Sequence, residues 1–151
     1  MGTPRNMQAT GERIAEAAMA MVGTPFTHRG RNPRTGVDCA GHVLCSHWAA
    51  GREVPDAIGY GPLPRVEVLM AGLEERARRV HMDDAEAGDV LLFTTANRRP
   101  IHFGIMVGAE TFTHAHQSTG CVVLSRLSRA WRSLLHSIWR IHESPRTGEE
   151  T

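Results

Sequence analysis

Cys39, His102 and His114 are the residues of this chain whose types and spacing suit covalent chemistry. Cys39 lies in the run Gly36-Val37-Asp38-Cys39-Ala40-Gly41, where a turn-rich loop gives way to a helical pattern. The partial positive charge at a helix N-terminus is predicted to lower the thiol pKa and favour a thiolate. Ala40 and Gly41 are small enough to let a substrate backbone come close, and the Cys39 N–H is placed to donate to an oxyanion. His102 precedes the apolar run Phe103-Gly104-Ile105-Met106-Val107 and so begins a strand, near the rim of a sheet. His114 follows on the next strand. A tight turn at Gly108-Ala109-Glu110 would join the two as a hairpin and set the histidines side by side, with His114 accepting from the His102 ring and fixing its tautomer. His116 faces the same side as His114 and competes for that role. A thiol, a base and a residue that orients the base are the parts of a nucleophilic hydrolase.

Each part alone has a plainer explanation. A cysteine in the first turn of a buried helix is ordinary core packing, and a histidine at a strand end is often only a surface residue. The weight lies in their order and in the Gly-rich approach to Cys39.

The elements that must position these residues follow from periodicity. Residues 1–8 read as a loose arm. Residues 9–22 read as a helix with Ile14, Ala18, Met21 and Val22 on one face, stopped by Gly23-Thr24-Pro25. A loop over 24–37 carries Arg29, Arg31 and Arg34. A second helix, 39–50, is predicted to be central and buried, with Val43, Leu44 and Trp48, and ends at Gly51. After an irregular segment, 51–63, Pro64 is placed to open a third helix over 64–79, with Val66, Leu69, Met70 and Leu73 inward and Arg76, Arg78 and Arg79 as a solvated basic tail. From Gly88 onward the pattern is of strands: 90–94, 101–107, 111–115, 121–125 and 137–141. Helices first and an antiparallel sheet second make the α+β class, with a single domain over 9–143 and a polar tail over 144–151.

Composition narrows the function classes. A length of 151 residues fits one core. A net charge of +1 gives no bulk attraction for nucleic acid or membrane. All 17 cationic side chains are arginine, which suits bidentate contact with carboxylates. Three cysteines rule out a fully paired disulfide framework, and Cys45 and Cys121 read as small core residues. No apolar run is long enough to span a bilayer, and Met1 to Thr10 lacks an apolar signal region, so the expectation is a protein made in the cytoplasm without a signal peptide.

Five segments taken together resemble the NlpC family of papain-like cell-wall peptidases. They are Gly23-Thr24-Pro25-Phe26, Gly36-Val37-Asp38-Cys39-Ala40-Gly41, Gly88-Asp89-Val90-Leu91-Leu92-Phe93, His102-Phe103-Gly104-Ile105-Met106-Val107-Gly108 and Phe112-Thr113-His114-Ala115. The approach loop His28-Arg29-Gly30-Arg31 and the element Ala130-Trp131-Arg132 are similar to those of the compact members encoded with prophage and gene-transfer-agent tail genes. The resemblance implies N-terminal helices on a five- to six-stranded antiparallel sheet, and hydrolysis of amide bonds in peptidoglycan stem peptides, typically after γ-D-glutamate. It makes Cys39 the nucleophile, His102 the base and His114 the orienting residue, and gives Asp38 a part in binding the substrate's amino end. It implies no cofactor. The partners it implies are peptidoglycan and the hub or tip proteins of a phage-like tail, with action in the periplasm or cell wall of a target cell. One departure stands out: the family usually has a Tyr near Phe26 whose hydroxyl serves the oxyanion. Phe26 has none, and His28 is the candidate substitute donor.

Other readings compete. The first is a structural tail-tip component with a degenerate site. The second is amidase or acyl-transfer work on another substrate. The third is a metal site, for which Cys39, His42, Cys45 and His47 point around too much of a helix, leaving His102, His114 and His116 as the better trio. The remaining histidines read as surface or packing residues, and nothing suggests nucleic-acid readout.

Overall fold

The computed structural model describes residues 3–56, 66–94 and 100–142. Helix α1 (Thr3–Ala20) leads to a two-stranded ribbon, β1 (Arg31–Asn32) and β2 (Gly36–Val37), and then to α2 (Cys39–Ala49). After α3 (Val66–Arg76) come β3 (Ala77–Val80), a 3₁₀ turn at Met82–Asp84, β4 (Val90–Thr94), β5 (Pro100–Met106), β6 (Thr111–His116) and β7 (Cys121–Arg126). A short helix α4 (Arg129–Leu134) precedes β8 (Leu135–Ile141). The six-stranded sheet runs β3-β8-β4-β5-β6-β7, every neighbour antiparallel. This is the α+β arrangement expected.

Alternation along the strands divides the core. Val90, Leu92, Phe103, Ile105, Trp139 and Ile141 pack with Ile14, Ala18, Val43, Leu44 and Leu73 from the helices. Their strand neighbours Leu91, Phe93, Met106 and Ile138 join Phe112 and Leu127 in a second cluster, against which Trp131 of α4 packs. A period of two thus gives β3, β4, β5 and β8 apolar side chains for both layers, and the central strand β4 is buried from Val90 to Phe93.

Several boundaries differ from expectation. Helix α1 already includes residues 3–8, where the sequence suggests a loose arm. Val22 leaves the core face and is 45% exposed, because the helix has ended and Gly23 turns the chain at φ 98°. Trp48 lies at the surface end of α2, its indole N–H donating to the Val54 carbonyl. The third helix stops at Arg76: Ala77–Val80 is a strand, its register pairing Ala77 with Ile141 and Val80 with Ile138. Arg78 and Arg79 point outward from a sheet edge instead of ending a helix. Pro64 and the 144–151 tail lie outside the described residues.

One ion pair ties the sheet to the turn before β4. Arg140 grips the buried carboxylate of Asp89 with two bonds, Nε to Oδ1 at 2.7 Å and Nη2 to Oδ2 at 2.8 Å. Asp89 also accepts from the Glu86 N–H. Among the described residues no helix is long and apolar enough to cross a membrane.

Candidate active site

Asp38 explains why α2 begins where it does. It is extended (φ −99°, ψ −171°) and its Oδ1 accepts the Gly41 N–H at 2.8 Å, an N-cap for the first turn. The same carboxylate accepts the Arg29 N–H at 2.9 Å and Arg31 Nη1 at 3.1 Å. Arg31 in turn reaches Asp56. Asp38 is therefore buried and committed to joining the approach loop to the helix that carries Cys39. A close approach fixes the same joint: a Cβ on Gly41 would collide with the carbonyl of Gly30.

Cys39 is the first residue of α2 and is half-buried. Its sulfur is reached by three backbone N–H groups, those of Phe103, Ala40 and Cys39 itself. Each favours the thiolate, as a helix start was expected to do. Burial works the other way and is the largest effect, and the nearby Asp38 charge adds to it. The net result pushes the thiol up to about 11, so the expected depression is reversed.

The Phe103 N–H is free to meet the sulfur because the sheet opens there. The β5–β6 ladder holds only at Ile105–Thr113 and Met106–Phe112, whereas β5 stays paired to β4 back to Pro100 and β6 to β7 out to His116. Cys39 comes to the strand at this divergence, at the peptide that joins His102 to Phe103. Gly104, beside the last ladder pair, has no Cβ, and one there would press on the Phe112 ring.

His102 is on an inner strand of the sheet, not at its rim; the opening between β5 and β6 leaves it partly exposed. The Gly108 turn forms the expected hairpin, with Val107 N–H bonded to the Thr111 carbonyl. His102 Nε2 lies 2.9 Å from His114 Nδ1, and His114 Nε2 lies 2.9 Å from Ser125 Oγ. His114 is buried. Burial, followed by the charge of His116, lowers His102 to about 4; burial, then His102, His116 and His42, lowers His114 to about 3. Both rings are neutral at pH 7.

His116 lies edge-on to both rings, at centroid distances of 5.8 Å from His102 and 5.1 Å from His114. The hydrogen bond to His102 belongs to His114. Trp131 packs against all three, 6.1 Å from His102, 5.0 Å from His114 and 6.1 Å from His116. Its place was marked in the sequence by Ala130-Trp131-Arg132, but its contact with the histidines was not foreseen. Ser125 was missed altogether.

The other named residues have partners of their own. Phe26 packs against a third cluster with Met21, Val37, Cys45, Ala115 and Val122. His28 is exposed on the approach loop, beside the Arg29 amide that bonds Asp38. His42, one turn after Cys39, is fully buried; its Nε2 meets Thr113 Oγ1 at 2.8 Å and its Nδ1 has no partner. Among the described residues no group of three or more His, Cys, Asp or Glu is arranged to hold a metal ion.

With this geometry in hand, the comparisons with known proteins agree with one another. The model of the NlpC/P60 family matches residues 23–140. The bifunctional muramidase/DL-endopeptidase CwlT of Bacillus subtilis is 30% identical over 132 residues, covering 86% of this chain and 36% of its own. A probable endopeptidase of Haemophilus influenzae is 30% identical over 130 residues, covering 85% of this chain and 73% of its own. The chain thus spans about a third of the first relative's length. Among solved structures, an NLP/P60 lipoprotein-like protein of Staphylococcus aureus superposes with a TM-score of 0.66 at 23% identity, covering 90% of this chain and 42% of its own. The NlpC/p60 domain of the peptidoglycan hydrolase SagA gives 0.63 at 23%, covering 87% and 98%.

Proposed function

The chain belongs to the NlpC/P60 family of cysteine peptidases, and from that premise we propose that it is a peptidoglycan endopeptidase carried by a phage-like or gene-transfer-agent tail. Its substrate would be a stem-peptide amide, cut after γ-D-glutamate. The observation that carries the chemistry is the join of Cys39, through the Phe103 N–H, to the strand whose His102 is bonded to His114. Two relatives named as endopeptidases support the reaction class. The tail assignment rests on the approach loop His28-Arg29-Gly30-Arg31 and on Trp131 of the Ala130-Trp131-Arg132 element, which packs on the histidines. Hub or tip proteins of the tail are the proposed partners, and the cell wall of the target cell is the proposed place of action.

With the thiol pushed up to about 11 and the imidazole lowered to about 4, the proposed reaction starts from a thiol and a neutral imidazole. In the proposed reaction His102 takes the Cys39 proton as the sulfur attacks the amide carbonyl and a C–S bond forms. Because Nε2 of His102 is engaged by His114, the accepting atom is Nδ1. The oxyanion meets the N–H groups at the start of α2. His102 then gives its proton to the leaving amine, and water cleaves the thioester. Phe26 supplies no donor to the oxyanion, and His28 on the approach loop is the proposed substitute.

Digestion of purified peptidoglycan by the wild type and by Cys39→Ala, with mass analysis of the released fragments, tests this reading. New fragments from the wild type alone, with a γ-D-glutamyl end, are expected. No fragments from either protein would favour a structural tail component with a degenerate site.

A further inference from the structure

We propose that Ser125 is a positioning residue, the last member of a hydrogen-bonded line Ser125–His114–His102 that determines which nitrogen of His102 is open to the thiol. The inference rests on the reading of Cys39 and His102 as nucleophile and base. The line crosses three adjacent strands, β7, β6 and β5. In the β6–β7 register Phe112 pairs with Ser125 and His114 with Val123. Ser125 therefore shares a sheet face with His114 and lies one diagonal step along the outer strand.

Both nitrogens of His114 are engaged, Nδ1 with His102 Nε2 and Nε2 with Ser125 Oγ, each at 2.9 Å. A neutral imidazole has one N–H, so His114 donates one of these bonds and accepts the other. If His114 donates from Nε2 to Ser125, its Nδ1 must accept from His102 Nε2–H. The lone pair of His102 is then on Nδ1, where a general base requires it. With the opposite polarity His102 would carry its proton on Nδ1 and could not accept one from a thiol.

The surroundings favour the productive sense. Ser125 is half-buried on the outer strand, so its own O–H can donate to solvent while its lone pairs accept from His114. Trp131 stacks on the His102 ring at 6.1 Å and meets the His114 ring edge-to-face at 5.0 Å, so both rings are packed in place. The titratable groups acting on His114 are His102 from β5, His116 from its own strand and His42 from α2, all histidines. None is a carboxylate, so the hydroxyl takes the orienting part that an acid often plays.

The test uses the full chain and the variants Ser125→Ala, Ser125→Thr and Ser125→Asp. Ring nitrogen shifts in ¹⁵N-histidine-labelled protein at pH 7.5 report the tautomers without any need for turnover. Nε2–H on both His102 and His114 is expected in the wild type, a mixture in Ser125→Ala, and the wild-type pattern again in Ser125→Thr. Hydrolysis of muropeptides should show kcat about tenfold lower in Ser125→Ala with KM within about twofold, and recovery in Ser125→Thr. Ser125→Asp, an acceptor only, should raise the acid limb of the kcat profile by about one pH unit. Mixed tautomers in the wild type, or a Ser125→Ala protein with the wild-type tautomers, kcat and acid limb, would overturn the proposal. A wild type with the expected tautomers but no hydrolysis would instead sink the hydrolase reading.

Discussion

The amide of Phe103 points at the sulfur of Cys39, so the strand that carries His102 touches the nucleophile through its backbone. The contact exists because β5 and β6 part beyond Ile105 and Thr113 and leave that N–H without a ladder partner. A sheet that stayed zipped would have used the N–H for β6 and closed the cleft. The site is in this sense a fault line in the sheet, entered by a helix N-terminus.

The Cys39 thiol should be slow to alkylate. With its pKa pushed up to about 11, the rate of Cys39 modification by iodoacetamide should rise steadily from pH 7 to pH 10. Peptide mapping separates Cys39 from Cys45 and Cys121. A rate already level below pH 7 would mean a resting thiolate–imidazolium pair and would contradict the neutral resting state.

His114, and not His116, is expected to be the residue that orients His102. His114→Ala removes the 2.9 Å bond and should lower kcat by about 10²-fold, within the range that general acid–base groups supply. His116→Ala removes only an edge-on ring contact and should stay within about fivefold of wild type. Equal losses in the two variants would count against this assignment.

Acid should unfold the protein early. His42, His47, His102 and His114 are held neutral by burial, with pKa values lowered to about 3, 4, 4 and 3. In the unfolded chain each titrates near its usual value of about 6.5. The unfolded state therefore binds more protons below that pH. The stabilisation is fully present above about pH 6.5 and is lost as pH falls through about 4 to about 3, by about 2 kcal/mol per histidine at pH 5. Urea unfolding at pH 7.5 and pH 5 checks this; equal midpoints would refute it.

Two structural substitutions should be costly for different reasons. Arg140→Ala leaves the Asp89 carboxylate buried without its partner and should destabilise by about 3–5 kcal/mol. Gly41→Ala places a methyl against the Gly30 carbonyl and should cost about 1–3 kcal/mol. Denaturant midpoints within error of wild type would show that each site relaxes more easily than the geometry implies.

Much of this arrangement was legible in the chain because its signals are local. The Gly108 turn between two alternating runs gave the hairpin that aligns His102 and His114. Asp38, followed by Cys39-Ala40-Gly41, marked a helix start. Non-local facts were not legible. Ala77–Val80 is a strand because β8 offers it a partner some sixty residues later, and Arg-Ala-Arg-Arg looks equally well like the end of a helix. Ser125 carries no local mark, since its role depends on a diagonal across β6 and β7. The helix start that favours a thiolate at Cys39 is visible in sequence, whereas the burial that outweighs it is not.

The strand order has a consequence for how the chain comes together during synthesis. β3 and β4 are close in sequence but are not neighbours, because β8 lies between them. Until Leu135–Ile141 leaves the ribosome, β3 has no sheet partner and one side of β4 has open N–H and C=O groups. The hairpins of β4 to β7 can zip as they appear, but the sheet is completed by a late, long-range insertion. A chain halted before Leu135 would expose the edge of its most apolar strand, Val90 to Phe93, a surface prone to pairing with other nascent chains.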